Sequence, residues 1–239
     1  MVAVIEAKRL TRHFGGVRAV DGVDFSLEQG EIHGLIGPNG AGKTTFVSLL
    51  AGRVPVQSGE IRLEGEDITH LPAHLRVRKG VAYTFQITSI YPRLSVYDNV
   101  ILAAQSRNST GADKDATAAL HKAGLTTLAG EQAGTLSYGH QRLVELAMGL
   151  ALRPKVLILD EPTQGLASGE IENFKLLIRS LVPHTTLLLI EHNMDVVMDL
   201  AHRVSVLNFG QILAVGTPED IRHNTAVQDA YLGGPHAAG

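Results

Sequence analysis

Eight consecutive residues, Gly37-Pro38-Asn39-Gly40-Ala41-Gly42-Lys43-Thr44, fit the pattern G-x-x-x-x-G-K-[ST] in full. Glycines spaced this way let the backbone curl until successive N–H groups converge on one anion. A helix starting behind them adds its positive end. The lysine supplies a cation to the β- and γ-phosphates of a nucleotide, and the hydroxyl of Thr44 can ligate Mg²⁺. A second constellation lies far downstream. Val156-Leu157-Ile158-Leu159 is an apolar run that ends in Asp160-Glu161, two carboxylates at a strand's C-terminal end, where open α/β sheets bind their ligands. Asp160 suits the shell of a metal, through water, and Glu161 suits polarisation of an attacking water. Together these residues point to phosphoryl chemistry on a nucleoside triphosphate.

The elements that must hold them can be read from apolar periodicity. Ile32–Ile36 is a short apolar run ending at Gly37, and a helix is expected from about Lys43 to Leu50, so the loop sits between a strand and a helix. Strand texture returns at Val156–Leu159 and Leu187–Ile190, with a helix expected around Glu170–Leu181. Fully apolar strands alternating with helices indicate a parallel sheet covered on both faces. Before the loop the chain reads as short β-strands joined by turns, such as Val23–Leu27. A small hairpin is expected from Ile61–Leu63 and Asp67-Ile68, turning at Glu64-Gly65-Glu66. From about Thr88 to Arg153 the texture is helical. Ser95-Val96-Tyr97-Asp98 has the spacing of a capping box, and Leu143, Leu146, Ala147, Leu150 and Ala151 share one helical face that Pro154 closes. Val204–Leu207 and Ile212–Val215 flank the turn Asn208-Phe209-Gly210-Gln211. Thr217-Pro218-Glu219-Asp220 starts a final helix.

Between the loop and the acidic strand stands Leu136-Ser137-Tyr138-Gly139-His140-Gln141. With this segment the chain resembles the ABC ATPases, whose signature reads LSGGQ before a helix. The resemblance runs from about Ile5 to Leu232. It implies a P-loop NTPase core with a mostly parallel sheet, a small antiparallel β lobe and an inserted helical lobe. It also implies ATP hydrolysis with ATP and Mg²⁺ as ligands. Ser137 and Gly139 would then meet the γ-phosphate of ATP held by an opposite, homologous subunit. Thr45 extends the phosphate loop. Gln86, after Tyr83-Thr84-Phe85, matches the glutamine that links the metal and the attacking water to the permease-contacting region. His192, after Ile190-Glu191, matches the switch histidine, and Phe14 matches the aromatic that stacks on adenine.

Phe14-Gly15-Gly16-Val17-Arg18-Ala19-Val20, Thr84-Phe85-Gln86, Tyr138 and Ala230-Tyr231-Leu232-Gly233 look like the ATPases of branched-chain amino acid importers, a subgroup shared with urea and amide importers. The partners implied are membrane permease subunits and an external solute-binding protein, with the chain on the cytoplasmic face of the cell (inner) membrane. Three positions depart from the general pattern. Tyr138 replaces a signature glycine, His140 replaces the usual glutamine, and Ala167 stands where many family members carry an Asp. The division expected is one domain over 1–239: a nucleotide-binding core with its β lobe over 1–87 and 154–233, a helical signature lobe over 88–153, and a tail over 234–239.

Composition narrows the alternatives. The 239 residues contain no cysteine, which removes disulfides, thiolate metal sites and Cys nucleophiles. A net charge of −3 argues against a broad basic surface for nucleic acid. No apolar run approaches the roughly 18–20 residues of a membrane helix, and Met1–Arg9 does not read as a signal peptide. A soluble ABC ATPase acting on nucleic acid or ribosomes is the alternative reading. The single set of motifs and the lack of sustained heptads weigh against it. His70 and His74 are separated by Pro72 and read as surface residues.

Overall fold

The computed structural model describes residues 3–84, 89–107 and 110–232. Gln86 and the tail 234–239 lie outside the described residues. Two sheets organise the chain. Strands β1 (Ala3–Phe14), β2 (Val17–Glu28), β4 (Ser58–Leu63) and β5 (Glu66–Asp67) form an antiparallel sheet in the order β2-β1-β4-β5. The second sheet runs β10-β9-β3-β8-β7-β6, built from β3 (Ile32–Ile36), β6 (Val81–Tyr83), β7 (Val156–Asp160), β8 (Thr186–Ile190), β9 (Arg203–Asn208) and β10 (Gln211–Gly216). It is parallel from β9 to β6, and only the edge strand β10 is antiparallel.

Strands β3, β7 and β8 are buried at every residue. Mostly apolar sequences suit strands covered on both faces, and the buried polar side chain within β3, His33, is satisfied by Glu31 and Ser205. Their alternate side chains enter different clusters. Leu157, Leu159, Leu187 and Leu189 join the cluster that includes the helical segment. Ile158, Leu188 and Ile190 join the one shared with the antiparallel sheet and α1 (Lys43–Leu50). Helices α3 (Val96–Arg107), α4 (Ala112–Lys122) and α5 (Tyr138–Ala151) pack on one another. The Ser95 hydroxyl and Asp98 carboxylate cap α3 reciprocally, as their spacing predicts.

Two sequence expectations need correction, and one helix carries no sequence expectation at all. The opening strands are not short: β1 and β2 each run 12 residues, because register shifts along their pairing absorb the positions where alternation breaks down. Helix α2 (Ala73–Lys79) gives no long apolar stripe to find. It is fastened by Arg76, whose buried guanidinium donates to the carbonyls of Leu49, Leu50, Thr69 and Leu71. The helix expected to be last, α8 (Pro218–Arg222), stops after one turn, and α9 (Thr225–Leu232) follows it. Earlier in the chain, α6 (Ser168–Leu181) links β7 to β8 and α7 (Met194–Leu200) links β8 to β9. Among the described residues no helix is long and apolar enough to cross a membrane.

Candidate nucleotide site

The phosphate loop leaves β3 and enters α1, and its course is set from outside. A Cβ on Gly37 would lie 2.1 Å from the Leu207 carbonyl, and one on Gly42 would lie 2.0 Å from the Ala19 carbonyl. Only glycine fits where β9 and β2 press this closely. The N–H of Gly210, in the β9–β10 turn, donates to the Ala41 carbonyl at 2.9 Å. Gly37 and Ala41 are buried, Pro38 and Gly42 are half-buried, and Asn39 and Gly40 are exposed at the crest. Thr44 is exposed at the start of α1, and Thr45 is half-buried.

Lys43 is buried, and its ammonium donates to the carbonyls of Gly37 at 2.6 Å and Pro38 at 3.1 Å. Burial pushes its pKa below the usual lysine range, while Glu161 and Asp160 act in the opposite sense. Asp160 is 2% exposed. Burial raises its pKa, the Tyr83 hydrogen bond opposes this, and the neighbouring Glu161 adds to the rise. The Tyr83 hydroxyl donates to Asp160 Oδ2 at 2.5 Å, and the Arg53 guanidinium lies over the Tyr83 ring at 4.9 Å.

Glu161 has a left-handed backbone, with φ 49°. Such a conformation costs a non-glycine residue on the order of 1–3 kcal/mol and persists only where its surroundings impose it. Its N–H donates to the Ile190 carbonyl at 2.8 Å. Its Oε1 lies 2.7 Å from Nε2 of His192, which follows β8. Strands β3, β7 and β8 thus bring Lys43, Asp160, Glu161 and His192 to one end of the sheet.

Phe14, at the end of β1, is 46% exposed, so it is not a core residue, and the Arg12 guanidinium lies 4.7 Å from its ring centroid. Ser137 and Gly139 sit elsewhere. Ser137 caps α5 and is exposed, and its hydrogen bonds run to His140. Gly139 is buried against α6, where a Cβ would meet the Glu170 carboxylate at 2.2 Å. The Tyr138 ring rests on Gly165, at 2.8 Å from where a Cβ would be.

Two residues of this region escaped the sequence reading. Glu191 is buried and accepts from the N–H and hydroxyl of Thr163 at 2.9 and 2.7 Å, which ties the segment after β8 to the one after β7. Burial raises its pKa against those bonds. A carboxylate directly after four apolar residues was the available signal. Tyr83 was the other, and its signal was a hydroxyl at the end of a strand that pairs with β7.

The donor set fits a divalent cation beside a triphosphate. A buried carboxylate keeps a raised pKa despite Lys43 and Arg53 nearby and stands beside a second carboxylate, a hydroxyl stands open at the head of α1, and the loop's one lysine is held by backbone carbonyls. Hard oxygen donors of this kind suit Mg²⁺.

Residues 20–164 match the family model described as ABC transporter, and residues 211–237 match that of the branched-chain amino acid ATP-binding cassette transporter. The high-affinity branched-chain amino acid transport ATP-binding protein BraF of Pseudomonas aeruginosa is 40% identical, over 96% of this chain and 98% of its own. The lipopolysaccharide export system ATP-binding protein LptB of Escherichia coli K12 is 36% identical, over 97% and 98%. Among solved structures, the ADP conformation of MJ1267, an ATP-binding cassette of an ABC transporter, superposes with a TM-score of 0.89 at 26% identity, covering 98% of this chain and all of that one.

Proposed function

The chain belongs to the ABC transporter ATPases, and on that premise we propose that it powers uptake of branched-chain amino acids or related small solutes through a separate membrane permease. One observation carries this reading: the match of its C-terminal segment, residues 211–237, to the branched-chain model, in a chain 40% identical to BraF. The likeness to LptB names the competing outcome, an export system. The test is to co-purify the chain with its membrane partners and reconstitute them in vesicles. ATP-dependent accumulation of labelled leucine, urea or a short amide supports the reading. ATP-driven extraction of lipid, with no solute uptake, rejects it.

The chain is an ATPase. In the mechanism proposed, the phosphate loop's backbone N–H groups and Lys43 hold the β- and γ-phosphates, and Phe14 stacks on the base. Two of its three ammonium N–H groups are donated to the carbonyls of Gly37 and Pro38, which leaves one for a phosphate oxygen before either bond is exchanged. Bound Mg²⁺ supplies charge neutralisation and orientation of the phosphates, with Thr44, Asp160 and Gln86 as its protein-side partners. Glu161 accepts a proton from the attacking water. His192, hydrogen-bonded to Glu161 Oε1, orients that carboxylate and presents its ring toward the γ-phosphate side. Catalysis here is positioning and electrostatics more than covalent chemistry.

The reading extends to assembly. Two homologous subunits face each other, and the exposed Ser137 with Gly139 of one completes the phosphate site of the other. Closure around ATP biases the permease between its inward- and outward-facing states. The segment from Gln86 to Tyr97 is the proposed permease contact, and Tyr91, 58% exposed, is its apolar anchor. An external solute-binding protein delivers cargo, and the chain works at the cytoplasmic face of the membrane without binding nucleic acid.

A further inference from the structure

We propose that His140 controls the direction of the Ser137 hydroxyl, and through it the grip of the signature serine on the opposite subunit's γ-phosphate. The inference rests on the paired-subunit reading above. Its basis is local. Ser137 Oγ accepts the His140 backbone N–H at 3.3 Å, and Nδ1 of the His140 ring lies 2.8 Å from the same oxygen. A hydroxyl has one proton and two lone pairs. The backbone N–H occupies one lone pair. If Nδ1 is bare, it takes the hydroxyl proton, and the serine has no donor left for a phosphate oxygen, which only accepts. If Nδ1 carries a proton, as it does in the neutral Nδ1–H tautomer and always in the charged ring, it donates into the second lone pair. The hydroxyl's one remaining function is then to donate outward, as a phosphate requires.

The ring therefore selects between a held and a released serine. Imidazole is the side chain whose charge ordinarily changes near neutral pH. Negative charge arriving next to it favours the protonated ring, so nucleotide docking and proton uptake reinforce each other. The amide of a glutamine offers a donor and an acceptor at every pH and carries no such linkage. The device belongs to this chain's departure from the general signature.

The charged neighbours are mixed. On α5 itself, Arg142 and Glu145 pair with each other at 3.0 Å. A cavity of about 320 Å³ below the signature places Lys122, from the end of α4, and Glu170, from α6, on the same walls as His140. Lys122 opposes a second positive charge there and Glu170 favours it. Glu170 Oε2 is fixed by the Ala167 N–H at 2.9 Å, so its charge does not swing away.

The test uses the full chain carrying Glu161→Gln, so that ATP is bound without turnover. Closure into the dimer is followed by sedimentation from about pH 6 to 8.5, the range in which imidazole exchanges its proton. Proton uptake is measured by calorimetry in two buffers of different ionisation enthalpy. Closure should weaken as pH rises, by up to about tenfold per unit for each linked proton, of which the symmetric dimer has two, with a buffer-dependent heat. His140→Gln in the same background should close with a flatter profile and take up fewer protons. An unchanged slope and unchanged uptake in that variant overturn the proposal. Ser137→Ala separates the two levels. If it leaves closure unaffected, the paired-site reading fails. If it weakens closure while His140→Gln keeps the parent's slope and uptake, only the role of His140 fails. The melting temperature of each variant, measured without nucleotide, establishes that it is folded.

Discussion

Nε2 of His192 lies 2.7 Å from Oε1 of Glu161, while the Glu161 backbone is held left-handed at φ 49°. The side chain is thus placed twice, by a strained main chain and by a ring from the neighbouring strand's exit. Glu161→Gln should keep ATP binding and lose about 10²-fold or more in single-turnover hydrolysis. His192→Ala should lose much of the same rate, and the double variant little beyond the worse single one, because groups that act as a unit are not additive. Fully additive losses in log rate would separate their roles.

Lys43→Ala should abolish tight Mg-ATP binding. The ammonium is the loop's cation, and its depressed pKa reflects a burial that a triphosphate would offset. Calorimetry gives the dissociation constant, and an unchanged value would remove Lys43 from the site.

Asp160→Asn should stabilise the nucleotide-free protein. The folded pKa of Asp160 is raised, so its contribution to stability is present below the unfolded value of 3.8 and lost as pH rises through the folded value. At neutral pH the ionised form is a cost that Asn removes. The gain in melting temperature should be a few degrees, at about 2–4 °C for each kcal/mol in a domain of this size. It should shrink below about pH 4. Mg-ATP should raise the melting temperature of the wild type far more than that of the variant.

His33 and Glu31 predict acid sensitivity far from the nucleotide. His33 is fully buried, with Nδ1 3.1 Å from Glu31 Oε1 and Nε2 2.8 Å from Ser205 Oγ. Burial depresses the His33 pKa below 6.5, so the unfolded chain takes up the proton first as pH falls. Stability should begin to drop below about pH 6.5. The Glu31 pKa is lowered below 4.5 by His33 and the Glu28 N–H despite the opposing effect of burial. Its stabilising share is lost only at lower pH. Melting curves of the wild type and His33→Gln between about pH 7.5 and 5 should converge at the acid end.

Ile90 and Tyr91 separate core from contact. Ile90 packs against the helical core cluster, whereas Tyr91 is exposed. Ile90→Asp should lower the melting temperature of the free subunit, since an apolar site left with an unpaired charge is costly. Tyr91→Asp should leave that temperature and the basal ATPase near wild type while permease binding and uptake fall. Loss of stability in Tyr91→Asp, with coupling intact, would return this residue to the core.

Much of this arrangement is legible in residue order because the decisive elements are short, continuous and apolar. Ile32–Ile36 and a helix from about Lys43 to Leu50 are readable in sequence and match the structure, since Gly37 ends one and Gly42 precedes the other. The links between distant segments are not legible. Tyr83 on Asp160, Glu191 on Thr163, and the Leu207 carbonyl against Gly37 join residues 77, 28 and 170 positions apart, and no local periodicity encodes such a pairing. The long opening strands were hidden for a related reason. Their pairing tolerates register shifts, so apolar alternation is interrupted along their length.

The support of the phosphate loop by β9 and its turn has a consequence for synthesis. The whole G-x-x-x-x-G-K-T stretch has been translated by residue 44, yet the groups that press Gly37 and anchor Ala41 are the Leu207 carbonyl and the Gly210 N–H. A nascent chain halted before the β9–β10 turn carries every consensus residue of the loop, and the Ala19 carbonyl against Gly42, but lacks the side of the wall that Leu207 and Gly210 supply. The loop's full shape is therefore expected only late on the ribosome, after the acidic strand and the switch histidine have been translated, and ATP retention by chains truncated before and after Gly210 would check it.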